Sequence, residues 1–333
     1  MTRARRELVS PETTPYYHCI CRCVRRAFIC GEDHLTGKNY EHRKHWVPER
    51  LRELQAVFLV EICAYAVMSN HYHLVVRLNR EKATGLSDEA VAERWGKLFQ
   101  VPMLVSRYIK GLSDTAAERK AAQTFIEQWR ERLADLSWYM RCLNEHLARR
   151  ANEEDGCTGR VWEGRFKSQA LLNEAAVLTC MSYVDLNPVR GGSADAPEES
   201  DFTSIQQRIF DRVGKLHRAN QPENIALMPL GADSDHHPNR FTFSTQDYFE
   251  LVDWAGRAVR DDKRGTIAAD IPPILERLGL NSREYLRHVA SIGAGHDAAV
   301  LGNIQRVRRL ADRLGRKFIR GVGASKQLYA RSA

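Results

Sequence analysis

The sequence predicts an α+β protein: one antiparallel, ferredoxin-like sheet with helices on one face, a helical insertion, and a helical C-terminal region. Three observations lead there. Strand-like and helix-like patterns follow the order strand, helix, strand, strand, helices, strand, helix, which is that of a split β-α-β unit. Two apolar runs, Val57 to Ala66 and Tyr72 to Leu78, flank the turn residues Met68-Ser69-Asn70-His71 and read as a hairpin of buried strands. A compact unit of this kind needs only about 100 residues, so the helical stretch near 85–134 is an insertion within it.

Each element has a local reason. Tyr16 to Ile29 is a first strand with a basic continuation. Within it Cys19, Cys21 and Cys23 alternate and share one face; their spacing fits no usual zinc pair, so they are read as small buried side chains. Val47 to Phe58 is a helix, with Pro48 in the first turn and Leu51, Leu54 and Phe58 as its apolar stripe. Ser87 is an N-cap followed by Asp88 and Glu89, which suit the positive helix end. Phe125, Trp129, Leu133, Leu136, Met140, Leu143 and Leu147 recur at spacings of three and four, giving one amphipathic helix or two end to end. Arg165 to Leu172 is a short strand, and Asn173 caps a helix running to Asn187, where Pro188 disfavours helical geometry in the residue before it. The composition of GGSADAPEES marks a linker, which divides the chain into 1–192, a connection at 193–200, and 201–333. Further helices are expected at Gln246 to Val259, Ile271 to Leu278 and Ile304 to Ile319.

Bulk composition limits the function classes. Of 333 residues, 43% are apolar and 28% charged, an ordinary globular balance that excludes a disordered or collagen-like chain. Lys and Arg outnumber Asp and Glu by 50 to 42, a net charge of +8 that favours a polyanionic partner. No run reaches the ~18 apolar residues of a membrane helix, since the longest candidate, Val57 to Val67, is interrupted by Glu61. The N-terminus MTRARRELVS lacks the apolar core of a secretory signal, and eight cysteines are too few for a disulfide scaffold. The expected location is the cytoplasm, with no membrane partner.

The sharpest chemical feature is Ser69-Asn70-His71-Tyr72-His73-Leu74-Val75-Val76. Residues two apart on a strand point the same way. His71 and His73 therefore form two-thirds of a divalent-metal site, while Tyr72, Leu74 and Val76 face the core. His-x-His alone is also an ordinary surface pattern. A second feature adds weight: in Met181-Ser182-Tyr183-Val184-Asp185-Leu186-Asn187-Pro188-Val189-Arg190, Tyr183 and Asn187 are stacked one turn apart on a helix. Ala176 and Cys180 continue that stripe with small side chains that let another surface approach. Taken singly, Tyr183 is equally a half-buried tyrosine and Asn187 a helix end.

In order, the motifs YYHCICRCVRRAFICG, AYAVMSNHYHLVV, GRVWEGRFKSQ and YVDLNPVRGG resemble the REP-associated tyrosine transposases, a branch of the single-tyrosine HUH transposases. The resemblance spans roughly 15–192; the middle insertion and the region after Ser200 lie outside it. It implies an HUH domain in which His71 and His73 bind a divalent metal, Mg²⁺ or Mn²⁺, with Asn187 as third ligand and Tyr183 as nucleophile. The implied activity is cleavage and rejoining of single-stranded or hairpin DNA through a covalent 5′-phosphotyrosine. With one tyrosine, successive cleavages need two protomers or enzyme recycling, so the protein is expected to be a monomer or homodimer. A DNA-binding regulator of the same ancestry that no longer cuts is the alternative, and a small-molecule metal hydrolase is a third reading that the basic balance disfavours.

Basic residues interleaved with aromatics suit single strands, whose bases stack and whose phosphates need neutralising. Arg22, Arg25 and Arg26 follow the first strand; Arg160, Arg165 and Lys167 surround Trp162 and Phe166; Arg190 closes the tyrosine motif. Near the C-terminus Arg306, Arg308, Arg309, Arg313, Arg316, Lys317 and Arg320 lie opposite an apolar stripe of Leu301, Ile304, Val307, Leu310, Leu314 and Phe318. This is read as a docked helix whose basic outer face holds a structured DNA end.

Overall fold

The structure, a computed structural model, describes residues 10–24, 30–32, 37–213, 225–231, 241–259, 273–291, 299–317 and 319–329. The first strand, β1 (Tyr16–Arg22), is followed by α1 (Trp46–Gln55) and by the hairpin strands β2 (Val60–Val67) and β3 (His71–Leu78). After α2 (Arg80–Thr84), the insertion contains α3 (Asp88–Gly96), α4 (Met103–Ile109) and α5 (Ala116–Leu133), and α6 (Leu136–Glu154) returns the chain to β4 (Lys167–Leu171). Then come α7 (Glu174–Asp185), α8 (Asn187–Arg190), α9 (Ser204–Val213), α10 (Thr245–Val259), α11 (Pro273–Arg277) and α12 (Ser282–Ser291). A two-residue β5 (Val300–Leu301), α13 (Ile304–Arg313) and α14 (Val322–Leu328) complete the described elements.

The sheet order β2-β3-β1-β4-β5 contains the split β-α-β arrangement, with β5 added beyond β4. The expected α+β class is observed, with two differences of detail. The sheet is mixed, because β4 and β5 pair in parallel while the other pairs are antiparallel. Helices also cover both faces rather than one. Tyr17, Cys19, Cys21, Tyr72, Leu74 and Val76 join Leu51 of α1, Ile126 of α5 and Tyr139 of α6 in one core. Cys63, Ala64, Ala66, Val75 and Leu171 join Ala176, Cys180 and Val184 of α7, with Ile205, Tyr248 and Tyr285, in a second. A sheet apolar on both sides has to be covered on both sides. The three alternating cysteines are buried and form no disulfide, in keeping with the reading of them as small buried side chains.

The long apolar periodicity of the insertion is broken into two helices at Asp135, whose side chain accepts the Trp138 amide at 2.8 Å as an N-cap. Ser87 caps α3 as expected, accepting from the Ala90 amide. Asn173 holds the N-cap position of α7 without a side-chain cap; its Oδ1 instead accepts the Tyr329 hydroxyl at 2.8 Å. The basic C-terminal helix is shorter than its periodicity implies. Gly315 adopts φ 62°, and the amides of Gly315 and Arg316 turn back to the carbonyls of Asp312 and Ala311. This Schellman closure separates Arg316, Lys317 and Arg320 from α13. Phe318, the last residue of the expected stripe, lies outside the described residues.

Residues beyond the linker-like segment pack into the second core. Ser200 is buried, Thr203 bridges to Ala66 of β2, and Asp185 at the end of α7 ties three elements together. Asp185 is fully buried; its Oδ1 accepts from Ser204 Oγ and the Ile205 amide, and its Oδ2 accepts the Tyr248 hydroxyl. Asp185→Ala would orphan these donors and is expected to cost about 3 kcal/mol or more in denaturant unfolding. Burial raises the Asp185 pKa from 3.8 to about 6, against the hydrogen bonds from Ser204 and Tyr248. The folded state thus holds a proton here that the unfolded state has released, and this group's favourable contribution is lost as pH rises from about 4 through 6. Thermal melts of Asp185→Asn should therefore gain on the wild type between pH 4 and pH 7.

Candidate active site

The site is built where β1, β3 and the end of α7 meet. Arg22 pairs with His71 and Ile20 with His73 across the β1–β3 ladder, so His18, Arg22, His71 and His73 occupy one face of the sheet. That face is covered by α7, and Ala176 and Cys180, both fully buried, allow the close approach. The last turn of α7 carries Tyr183, and α8 begins at Asn187.

The four residues expected to act together are brought together. The Tyr183 ring stands edge-on to His73, centroids 5.4 Å apart, and His73 stands edge-on to His71 at 4.8 Å. Arg190 links the helix residues: its Nη2 donates to the Tyr183 hydroxyl at 3.1 Å and to Asn187 Oδ1 at 2.9 Å, and its guanidinium carbon lies 4.5 Å from the centre of the Tyr183 ring. Its Nη1 donates to the carbonyls of Val289 and Ala290 in α12, at 3.3 and 3.0 Å. The C-terminal region thus reaches the site through Arg190. Tyr183 is only 1% exposed.

Two histidine nitrogens are already occupied. His71 Nδ1 lies 2.6 Å from Asn70 Oδ1, and His73 Nδ1 lies 3.0 Å from Nε2 of His18 on β1. Buried His73 Nε2 and Asn187 Nδ2 have no hydrogen-bond partner. Burial, followed by the charges of Arg22 and Arg190, lowers the His71 pKa to about 4. Burial, with His18 and His71 alongside, holds His73 well below the usual histidine range. Both rings are therefore neutral near pH 7. Burial raises the Tyr183 pKa, and the charge and hydrogen bond of Arg190 offset this only in part.

This donor set fits a divalent cation. Each imidazole has its Nδ1 engaged and its Nε2 left over, the pattern of a metal-ligating histidine with a supporting partner, and Asn187 Oδ1 has a second lone pair beyond the one taken by Arg190. Among the described residues no group of three His, Cys, Asp or Glu is arranged to hold a metal, so the set depends on the amide as its third donor.

The expected DNA contacts divide into two places. Arg22 is exposed beside His71, and Lys167, opposite Ile20, is exposed on the same face. The segment bearing Arg160 and Arg165, both exposed, runs along the end of β1 through the Val24–Val161 and Glu163–Arg22 backbone bonds. These residues and Arg190 gather at the site's end of the sheet. Arg25 and Arg26 lie outside the described residues. Trp162 is not available as a stacking surface: it is 9% exposed, packs edge-on to Tyr72 in the first core, and donates its indole N–H to the Asn144 carbonyl. Phe166 is buried as well. Arg309 and Arg313 are exposed on α13 and Arg316 is half-buried just beyond it. That helix buries Val307 and Leu310 in the first core and reaches Thr13 and Leu172, on the other sheet face and toward the far end of the strands.

His18 was not singled out by sequence reasoning. The alternation that places Cys19, Cys21 and Cys23 on one face puts His18 on the opposite face, with Arg22, and that was the available signal.

No family model matches the sequence, and no curated protein does. Among solved structures, a REP-associated tyrosine transposase bound to a REP hairpin is similar over 70% of this chain and 100% of that one, at 12% identity and a TM-score of 0.37. A likeness of that size assigns no role to any residue. No helix among the described residues is long and apolar enough to cross a membrane.

Proposed function

We propose that this chain is a metal-dependent transesterase that cuts and rejoins single-stranded DNA through Tyr183. The observation that carries the reading is the meeting of His71 and His73, from a strand, with Tyr183 and Asn187, from a helix far along the chain. Chance surface histidines need no buried tyrosine and amide beside them. A Mg²⁺ or Mn²⁺ ion held by Nε2 of His71, Nε2 of His73 and Oδ1 of Asn187 would neutralise charge on the scissile phosphate.

The chain's own residues supply the rest. The phenol of Tyr183 gives up its proton and its oxygen bonds to phosphorus; the P–O3′ bond breaks, and the 3′-oxygen takes up a proton. One phosphodiester replaces another, so a later 3′-hydroxyl can reverse the step. Arg190 favours the phenolate by donating to its oxygen. Arg190→Ala is expected to slow covalent adduct formation by about 100-fold, with Arg190→Lys intermediate, in single-turnover assays; equal rates would exclude this role.

Arg22, Arg160, Arg165 and Lys167 would guide the cleaved strand, while Arg309 and Arg313 on α13 would hold a structured stem away from it. Arg309→Glu with Arg313→Glu should weaken hairpin binding and lower its salt slope by about 2, with unstructured single strands bound as before. A second reading, a DNA-binding protein that does not cut, is favoured by the burial of Tyr183 beneath Arg190. Labelled hairpin-bearing single strands incubated with Mn²⁺ or Mg²⁺ and run on a denaturing gel separate the two: a covalent band supports the transesterase, and binding without it supports the regulator.

A further inference from the structure

We infer that Arg22 is a catalytic residue that grips the scissile phosphate itself, its guanidinium fork on the non-bridging oxygens; this rests on the transesterase reading. Arg190 is engaged elsewhere. A guanidinium has five N–H donors, four of them on its two terminal nitrogens. In Arg190 those four meet four acceptors: the Val289 and Ala290 carbonyls on Nη1, and the Tyr183 hydroxyl and Asn187 Oδ1 on Nη2. Arg190 thus holds the phenol and the amide and has no fork left for phosphate. The charge that grows on the non-bridging oxygens as Tyr183 attacks is left to a donor other than Arg190.

Arg22 is placed to be that donor. It is the last residue of β1 and lies directly opposite His71 in the ladder with β3. Side chains of directly opposed residues start about 5 Å apart, so Arg22 begins beside His71 on the face that carries His73. Its charge is felt at His71, His73 and Tyr183, in each case together with that of Arg190. The two guanidinium groups thus reach the same three side chains, one from β1 and one from α8. The Glu163 amide pins the Arg22 backbone by donating to its carbonyl at 2.9 Å. The Arg22 side chain is exposed and makes no hydrogen bond or ion pair among the described residues, whereas Arg165 and Lys167 already interact within the protein. A cation fixed at its base and uncommitted at its head suits an anion that arrives with the substrate. As the Tyr183 oxygen bonds to phosphorus and the P–O3′ bond breaks, Arg22 exchanges no proton; it binds the oxygens more tightly as their charge rises.

The probe is a hairpin-bearing single strand in which one phosphate at a time is replaced by an uncharged methylphosphonate. In metal-free protein, neutralising the phosphate at the cleavage position should weaken binding by about 10-fold in the wild type and by less than about twofold in Arg22→Ala. Methylphosphonates at flanking positions should cost the two proteins equally. In single-turnover reactions with Mn²⁺, Arg22→Ala should slow adduct formation by about 100-fold, with Mn²⁺ affinity, read by electron paramagnetic resonance, unchanged. Equal losses in the two proteins at the cleavage position, or coupling of Arg22 to a flanking phosphate instead, overturns the proposal. If Arg22→Ala does not fold, Arg22→Gln, which keeps a long polar side chain without the charge, is read in the same way. Cleavage at Tyr183 without this coupling refutes the role of Arg22 and leaves the transesterase reading standing. Coupling of Arg22 to one phosphate of a strand that is never cut supports the grip and contradicts the transesterase reading, so the two failures are distinct.

Discussion

Tyr183→Phe is expected to abolish covalent attachment to single-stranded DNA, a loss of at least about 10⁴-fold, because no other group can replace a missing nucleophile. DNA affinity should be almost unchanged. The ring remains to pack against His73 and His18, and Arg190 keeps Asn187 and the α12 carbonyls as partners. Thermal stability should therefore fall little. A folded Tyr183→Phe that still forms the adduct would remove Tyr183 from the reaction and, with it, the reason for its place beside the histidines.

The second large effect concerns the histidines. His71→Ala should lower Mn²⁺ affinity by more than about 100-fold and remove metal-dependent cleavage. His71 sits at the start of β3, half-exposed, so its loss should leave the fold intact. His73→Ala should lose Mn²⁺ affinity as fully and also cost stability, because the buried His18 loses its partner and a cavity opens under α7. The contrast between the two variants is the useful measurement: equal metal loss with unequal stability loss. Metal-dependent cleavage unchanged in His71→Ala would exclude it as a ligand.

Much of this arrangement is readable from local pattern. Strand alternation puts His71 and His73 on one face, and helical spacing puts Tyr183 over Asn187. The hairpin, the insertion and the strand before α7 follow from apolar runs and caps. What local pattern does not reach is the set of contacts made between distant segments. The Val289 and Ala290 carbonyls on Arg190 come from α12, and nothing near Arg190 in sequence announces them. Trp162 reads as a stacking residue among basic neighbours, yet the first core claims it. The second covered face was hidden because Cys63, Ala64 and Ala66 are small residues whose burial only α7 and the C-terminal helices reveal. The shortened α13 is a different case, since Gly315 stands in the sequence as a C-terminal glycine signal that the longer periodicity masks.

In the proposed reading, one pocket joins a metal-binding histidine pair to a reactive tyrosine. Peptide mapping by mass spectrometry, after the wild-type protein has reacted with a hairpin-bearing single strand and Mn²⁺, tests it most directly. The expected product is a nucleotide linked by phosphate to Tyr183 and to no other side chain. A nucleotide on a different residue, or DNA cut with no protein-linked product, would contradict it.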